Sequence, residues 1–241
     1  MSSCCRCSRS LTVGDGASAI RGCSSYRVSS PAARSRTPST SRPSNDNADT
    51  SYLTSRRLLP CSHIVITHFD GDHIGGISDF PEAQIHVTAM EARGAMRAPS
   101  RGEKFRFRPA PWAHGPKSVE HTPDGEKWRG FAAAKELDEV STGIALIWLP
   151  GHTRGHACVA VDAGHRWVLH CGDSFFHHGT VDGTAAMARA LAAFESAVAF
   201  DRKMVRQNHA RLVQLYRRRE PDLFMVSSHD RRLYEQAKAT A

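Results

Sequence analysis

The chain has 241 residues, 40% of them apolar, and its 32 Lys and Arg against 24 Asp and Glu give a formal charge of +8. That composition suits one globular domain with an appendage and argues against wholesale disorder. No run approaches the ~18 consecutive apolar residues of a membrane-spanning helix, so an integral helical membrane protein is excluded.

Residues 1–57 form a different kind of sequence. They hold fifteen Ser, nine Arg, no Lys and only Asp15, Asp46 and Asp49 as acids, a net +6 that leaves +2 for residues 58–241. Ser29–Asp49 offers almost nothing to bury, so this tail is expected to be disordered. A Ser- and Arg-rich, acid-poor segment is transit-peptide-like; the same enrichment is what an out-of-frame reading of GC-rich DNA yields, and both readings stay open. No apolar core of a secretory signal is present. Four of the seven cysteines (Cys4, Cys5, Cys7, Cys23) lie here without a fourth ligand at zinc-finger spacing, and are read as adventitious thiols. Cys61, Cys158 and Cys171 make an odd count without an export signal. That favours a reducing compartment, the cytoplasm, with an organelle as the alternative if the tail is a transit peptide.

From residue 58 onward, strands and helices alternate. Short apolar, β-branched runs bounded by turn residues predict strands at His63–Phe69, Ala83–Ala89, Ala145–Pro150, Ala157–Ala163, Arg166–Gly172 and Leu223–Ser228. Glu91–Arg97 reads as a short helix. Residues 98–141 read as one long polar connection, lid-like in length. Between Ala185 and Arg219 the period lengthens: Met187, Leu191 and Phe194 share one helical face, then Val205, Leu212 and Tyr216 another, until Pro221 ends the pattern. The class is α/β or α+β.

Fourteen histidines say less by their number than by their placement. His68, Asp70, Asp72 and His73 follow a predicted strand within six residues, and a turn there lets four ligands converge. His152 sits in a Gly-flanked turn after the strand that ends at Pro150. Asp173 and His229 each follow a later strand. Neutral imidazoles and carboxylates are ligands that Zn²⁺, Fe²⁺ and Mn²⁺ accept, and strand-end ligands from four separated segments can build one site along a sheet edge.

These residues resemble the metallo-β-lactamase-fold hydrolases. The H-x-H-x-D-H signature appears as His68–His73, the G-H-T-x-G-H turn as Gly151–His156, then Gly172-Asp173 and the late His229, in the family's order over residues 58–241. The resemblance implies a four-layer αβ/βα sandwich holding two divalent ions, zinc first and iron or manganese as alternatives. One ion would bind His68, Asp70 and His152; the second would bind Asp72, His73 and His229, with Asp173 bridging. Asp70 departs from the family, which usually has His there, and a carboxylate shifts preference toward iron or manganese. The family's opening strand-turn-strand section has no counterpart beyond Leu11–Gly16, so N-terminal strands of the first sheet are expected to be missing.

Such a site supports hydrolysis by metal-activated water, with Asp72 orienting the water or carrying a proton. His156 is read as packing or hydrogen bonding. His177 and His178 are candidates to face substrate, with a solvated turn as the plain alternative, and Trp112 and His114 are candidates to line the pocket. Three function classes remain: a hydrolase of small ester-like substrates (lactone, thioester or related), a phosphodiesterase or nuclease, and a truncated non-catalytic relative. A near-neutral domain disfavours a nucleic-acid partner; no membrane partner is expected, and the oligomeric state is not readable.

Overall fold

A computed structural model of the chain describes residues 19–21 and 61–240. Two sheets carry the fold. The first has the order β1 (Ala19–Arg21), β2 (His63–Ile66), β3 (Gln84–Thr88), β4 (Lys117–His121), with β1 antiparallel to β2 and the rest parallel. The second has the order β10 (Leu223–Val226), β9 (Trp167–His170), β8 (Ala157–Asp162), β7 (Ile144–Trp148), β6 (Phe131–Glu136), β5 (Glu126–Trp128). It is antiparallel except where β10 joins β9. Helices α1 (Gly71–Ile74), α2 (Ala89–Met96) and α3 (Arg101–Arg106) belong to the first half. The second half has α4 (Gly179–Asp182), α5 (Arg189–Val198), α6 (Arg202–Arg217) and α7 (Arg231–Ala239).

The period of two along each strand sorts side chains into three apolar layers. Ile64 and Ile66 of β2 and Ile85 and Val87 of β3 face outward with Ala92 and Ala95 of α2. Val65, between Ile64 and Ile66, faces inward and meets Ile144, Leu146, Ala157 and Val159 of the second sheet. The alternate residues Ala145, Ile147, Cys158 and Ala160 point the other way, toward Leu212 and Leu215 of α6. Helix, sheet, sheet, helix is the four-layer sandwich expected. The layer between the sheets is the smallest of the three, because His63, His86 and His121 take inward positions on β2, β3 and β4.

Each predicted strand run coincides with a strand to within a few residues at its ends, β7 beginning one residue before its run. Residues 98–141 are a correction. They are not one connection but hold α3, β4, β5 and β6. Edge strands β4 and β5 are paired on one side only and largely half-buried or exposed, so their sequences lack an apolar run. Ala19–Arg21 lies in the segment expected to be unstructured and here pairs with Ile64–Ile66 as an edge strand. The other expectations for residues 1–57, the tail cysteines included, fall outside the described residues. No helix among the described residues is long and apolar enough to cross a membrane.

Candidate metal centre

Four turns converge because the strands before them point the same way. β7 and β9 are each antiparallel to β8, and β10 is parallel to β9, so the chain leaves all three at one end of the sheet. The turn after β2 is joined to that end by Ala157 N donating to Thr67 O at 3.0 Å. His152, Asp173 and His229 follow β7, β9 and β10, and His68–His73 follow β2.

Asp173 is the centre of the group. Its Oδ2 lies 3.0 Å from His229 Nε2, 3.4 Å from His152 Nε2 and 3.8 Å from His68 Nε2, and its Oδ1 lies 3.1 Å from His73 Nε2. Two ligand sets flank it. His68 Nε2 and His152 Nε2 lie 3.3 and 2.9 Å from Asp70 Oδ2. His73 Nε2 and His229 Nε2 are each 3.5 Å from Asp72 Oδ2. Asp173, His68, His73 and His152 are buried, whereas the Asp72 side chain is 54% exposed.

Several of these buried atoms have no hydrogen-bond partner: His68 Nε2, both ring nitrogens of His73, and Asp173 Oδ1. His73 Nε2 is close enough to Asp173 Oδ1 but off the axis of a hydrogen bond. A buried polar atom without a partner costs about 1–3 kcal/mol, and the grouping of one ligand atom each from His68, His73 and Asp173 within 4.8 Å fits a divalent ion. Burial and the neighbouring His73 lower the His68 pKa to about 4, so its imidazole is neutral near pH 7 and can act as a ligand. Burial would push Asp173 up, but the hydrogen bond from His229 and the contact with His73 hold it well below the usual carboxylate range. The same bond raises His229.

Supporting residues hold the turns in place. Glu91, fully buried at the start of α2, accepts from Phe69 N at 2.9 Å, Thr153 Oγ1 at 2.6 Å and Gly155 N at 3.0 Å. It therefore ties the turn after β2 to the turn after β7, and burial keeps its carboxyl above the ordinary range. Gly155 must lack a side chain, since a Cβ would stand 2.1 Å from Glu91 N. His156 makes the hydrogen bonds read for it from sequence: Nδ1 contacts Leu149 O, and Nε2 accepts from Asp173 N at 3.0 Å. Gly172 adopts φ +53°, and a Cβ there would stand 2.6 Å from that Nε2, so the position requires glycine.

The groups open into a cavity of about 780 Å³. Phe105, Phe176, Leu191, Phe194, Val198 and Phe200 supply its apolar wall, with Asp70, Asp72, Arg106, His152, Asp173 and His229 at its polar end. Trp112, His114, His177 and His178, expected from sequence to line the pocket or face substrate, are not among the residues lining it. Trp112 packs edge-on against Phe69 under the first sheet. His114 is exposed. His178 bonds Asp230 through Nδ1 at 2.7 Å and lines a different cavity near Phe224, while His177 accepts from Gly179 N. A long loop and a histidine pair were weak signals, because neither says where the chain turns back.

A sequence model described as the metallo-beta-lactamase superfamily matches residues 38–214. The chain belongs to that superfamily. Proteins of Mycobacterium tuberculosis and Mycobacterium bovis, each described as a probable metallo-hydrolase, are 61% identical to this superfamily member over 185 residues. That match covers 77% of this chain but 60% of theirs, so the chain spans about three fifths of the length of these relatives. Among solved structures, AiiA of B. thuringiensis with N-decanoyl-L-homoserine bound at its active site is similar, with a TM-score of 0.52. An N-acyl homoserine lactone hydrolase with its N-hexanoyl-L-homoserine product bound at the catalytic metal center also scores 0.52. Both are 18% identical and cover 78% of this superfamily member and 62% of the solved chain, a likeness of fold.

Proposed function

We propose that residues 58–241 are the catalytic unit of a metal-dependent hydrolase acting on a small ester-like substrate, a lactone or thioester with an apolar arm. The observation that carries this reading is the set of unpartnered buried ligand atoms at the polar end of an apolar cavity. The mycobacterial relatives' description as probable metallo-hydrolases supports it, and so do the N-acyl homoserine products bound in proteins of similar fold.

Asp72, His73, Asp173 and His229 would hold a divalent ion, zinc first, with iron or manganese as alternatives. A bound ion supplies Lewis acidity, polarising the substrate carbonyl and lowering the pKa of water toward ~7. The chain's own residues do the rest. Asp72 is the exposed carboxylate of the set, and its free oxygen can take the proton of the attacking water and return it to the leaving alkoxide or thiolate. The phenylalanine-lined wall binds the apolar arm and keeps bulk water from the reacting carbonyl. Arg106 is the cavity's guanidinium among the described residues, and Asp70 already holds it, which leaves no free cation to clamp a phosphodiester.

The test is a panel of acyl lactones of increasing chain length, thioesters, β-lactams and phosphodiesters, with chelated enzyme as control. Lactone or thioester turnover that rises with chain length and disappears on chelation is expected. Turnover confined to phosphodiesters, or unaffected by chelation, overturns the proposal.

A further inference from the structure

The two ligand sets around Asp173 are not equivalent, and Arg106 makes the difference. Its Nε donates to Asp70 Oδ1 at 2.6 Å and its Nη2 to Asp70 Oδ2 at 2.5 Å, a two-pronged pairing. Nη1 donates to the carbonyl oxygens of His152, at 3.0 Å, and Val198, at 2.5 Å. Nη2 also lies 2.9 Å from His152 Nε2, which is itself 2.9 Å from Asp70 Oδ2. The guanidinium is thus fixed on all sides, with a side chain 21% exposed.

Ligand by ligand, the first set is committed. Asp70 Oδ2 is taken up by Arg106 and His152, and His152 Nε2 by Asp70 and Arg106, so of its three ligand atoms only His68 Nε2 is unpartnered. In the second set His229 Nε2 bonds Asp173 Oδ2 at 3.0 Å, a contact between two ligands with no outside cation in it; His73 Nε2 and Asp173 Oδ1 are unpartnered, and Asp72 faces solvent. Charge points the same way. Arg106 neutralises Asp70, whereas Asp72 and Asp173 bring two negative charges to the second set. An ion at the first set would also sit beside a fixed positive charge, at ligand distances of about 2.0–2.2 Å from atoms that Nη2 already approaches.

We infer that Arg106 stands in for the first of the family's two ions: this chain's centre holds one divalent ion, at Asp72, His73, Asp173 and His229, beside a built-in guanidinium charge. The inference rests on the metal-dependent reading above and narrows it. Arg106 also accounts for Asp70, since a carboxylate in place of the family's usual His is what a guanidinium requires as partner. Arg106 acts here as a positioning and charge-bearing residue, held through Asp70.

Anomalous diffraction at the zinc edge, on zinc-loaded crystals of the full chain, tests it by location. One peak among Asp72, His73, Asp173 and His229, and none between His68 and His152, is expected. Peaks at both positions, with Arg106 withdrawn from Asp70, overturn the inference and leave the metal-dependent reading intact. No peak at either position overturns that reading itself. Elemental analysis in solution adds an independent measure: Asp70→His combined with Arg106→Ala should bind one zinc equivalent more than wild type, and Arg106→Lys should not. A double variant that folds and binds no additional zinc overturns the role given to Arg106.

Discussion

Among the described residues, two groups of clustered histidines are built on opposite principles. Between the sheets, His63 Nδ1 meets His86 Nε2 at 2.8 Å and His86 Nδ1 meets His121 Nε2 at 3.0 Å, with Glu139 3.7 Å from His86. His86, in the middle, can donate from one ring nitrogen and accept at the other, so its two neighbours satisfy it. At the strand ends, His68, His73, His152 and His229 surround carboxylates instead, and inward nitrogens of His68 and His73 bond to nothing. Residue type is the same in both groups; the hydrogen-bond accounting separates a satisfied polar core from a candidate metal centre.

That contrast breaks most sharply at Asp173. Asp173→Ala removes the group that touches all four site histidines. It should cost roughly 10³-fold or more in kcat/KM, about 4 kcal/mol of transition-state stabilisation, and abolish zinc binding at the centre. Kinetics and elemental analysis check both, and wild-type zinc content in this variant would refute the assignment of the centre. Glu91→Ala leaves Phe69 N, Gly155 N and the Thr153 hydroxyl without their buried acceptor. The expected effects are about 3 kcal/mol or more of stability and 10–100-fold weaker zinc binding, read by thermal unfolding and zinc titration. Glu91→Gln, which keeps a carbonyl acceptor, should recover part of both.

The inter-sheet group gives a smaller effect of a different kind. Burial and the neighbouring rings lower His86 to about 4, and burial lowers His121. The unfolded chain takes up these protons near pH 6.5 and the folded one does not. Their contribution to stability is therefore present above pH 6.5 and lost as pH falls toward 4. Denaturant unfolding of metal-free protein across that window should show the decline, and His86→Gln should make it shallower by up to about 1.4 kcal/mol per pH unit. Zinc binding at the centre should be unchanged in His86→Gln; its loss would erase the distinction between the groups. The smallest effect belongs to the cavity wall. Phe194 is 57% exposed, so Phe194→Ala should shift stability by less than about 0.5 kcal/mol while raising KM several-fold for long-chain lactones and little for short ones.

Legibility followed burial and locality. The candidate ligands within His68–His73 and Gly151–His156 lie in short contiguous motifs beside apolar strands, so the sequence could point to both. Arg106 and Glu91 could not. Each is one polar residue in an unremarkable helix, and its role depends on partners such as Asp70, 36 residues away, and Thr153, 62 residues away. The one signal available for Arg106 was indirect: an unexpected carboxylate at position 70 requires a cation from somewhere. Strands β4 and β5 escaped notice because one-sided pairing leaves their outward residues free to be polar.

By itself, then, the sequence determined the mixed α/β class, through alternating apolar runs, pointed to the layer order through the family resemblance, and picked out the candidate ligand residues through motifs whose chemistry is local. It also showed that most of the +8 charge lies in residues 1–57, so that basicity says little about a partner. Only the tertiary structure decided which ligands are open and which are closed. Whether an imidazole nitrogen is available depends on what stands within 3 Å of it, and that is set by packing between segments far apart in the chain. The same packing places the phenylalanines of α3 and α5 around the cavity, a surface that no single helix pattern specifies.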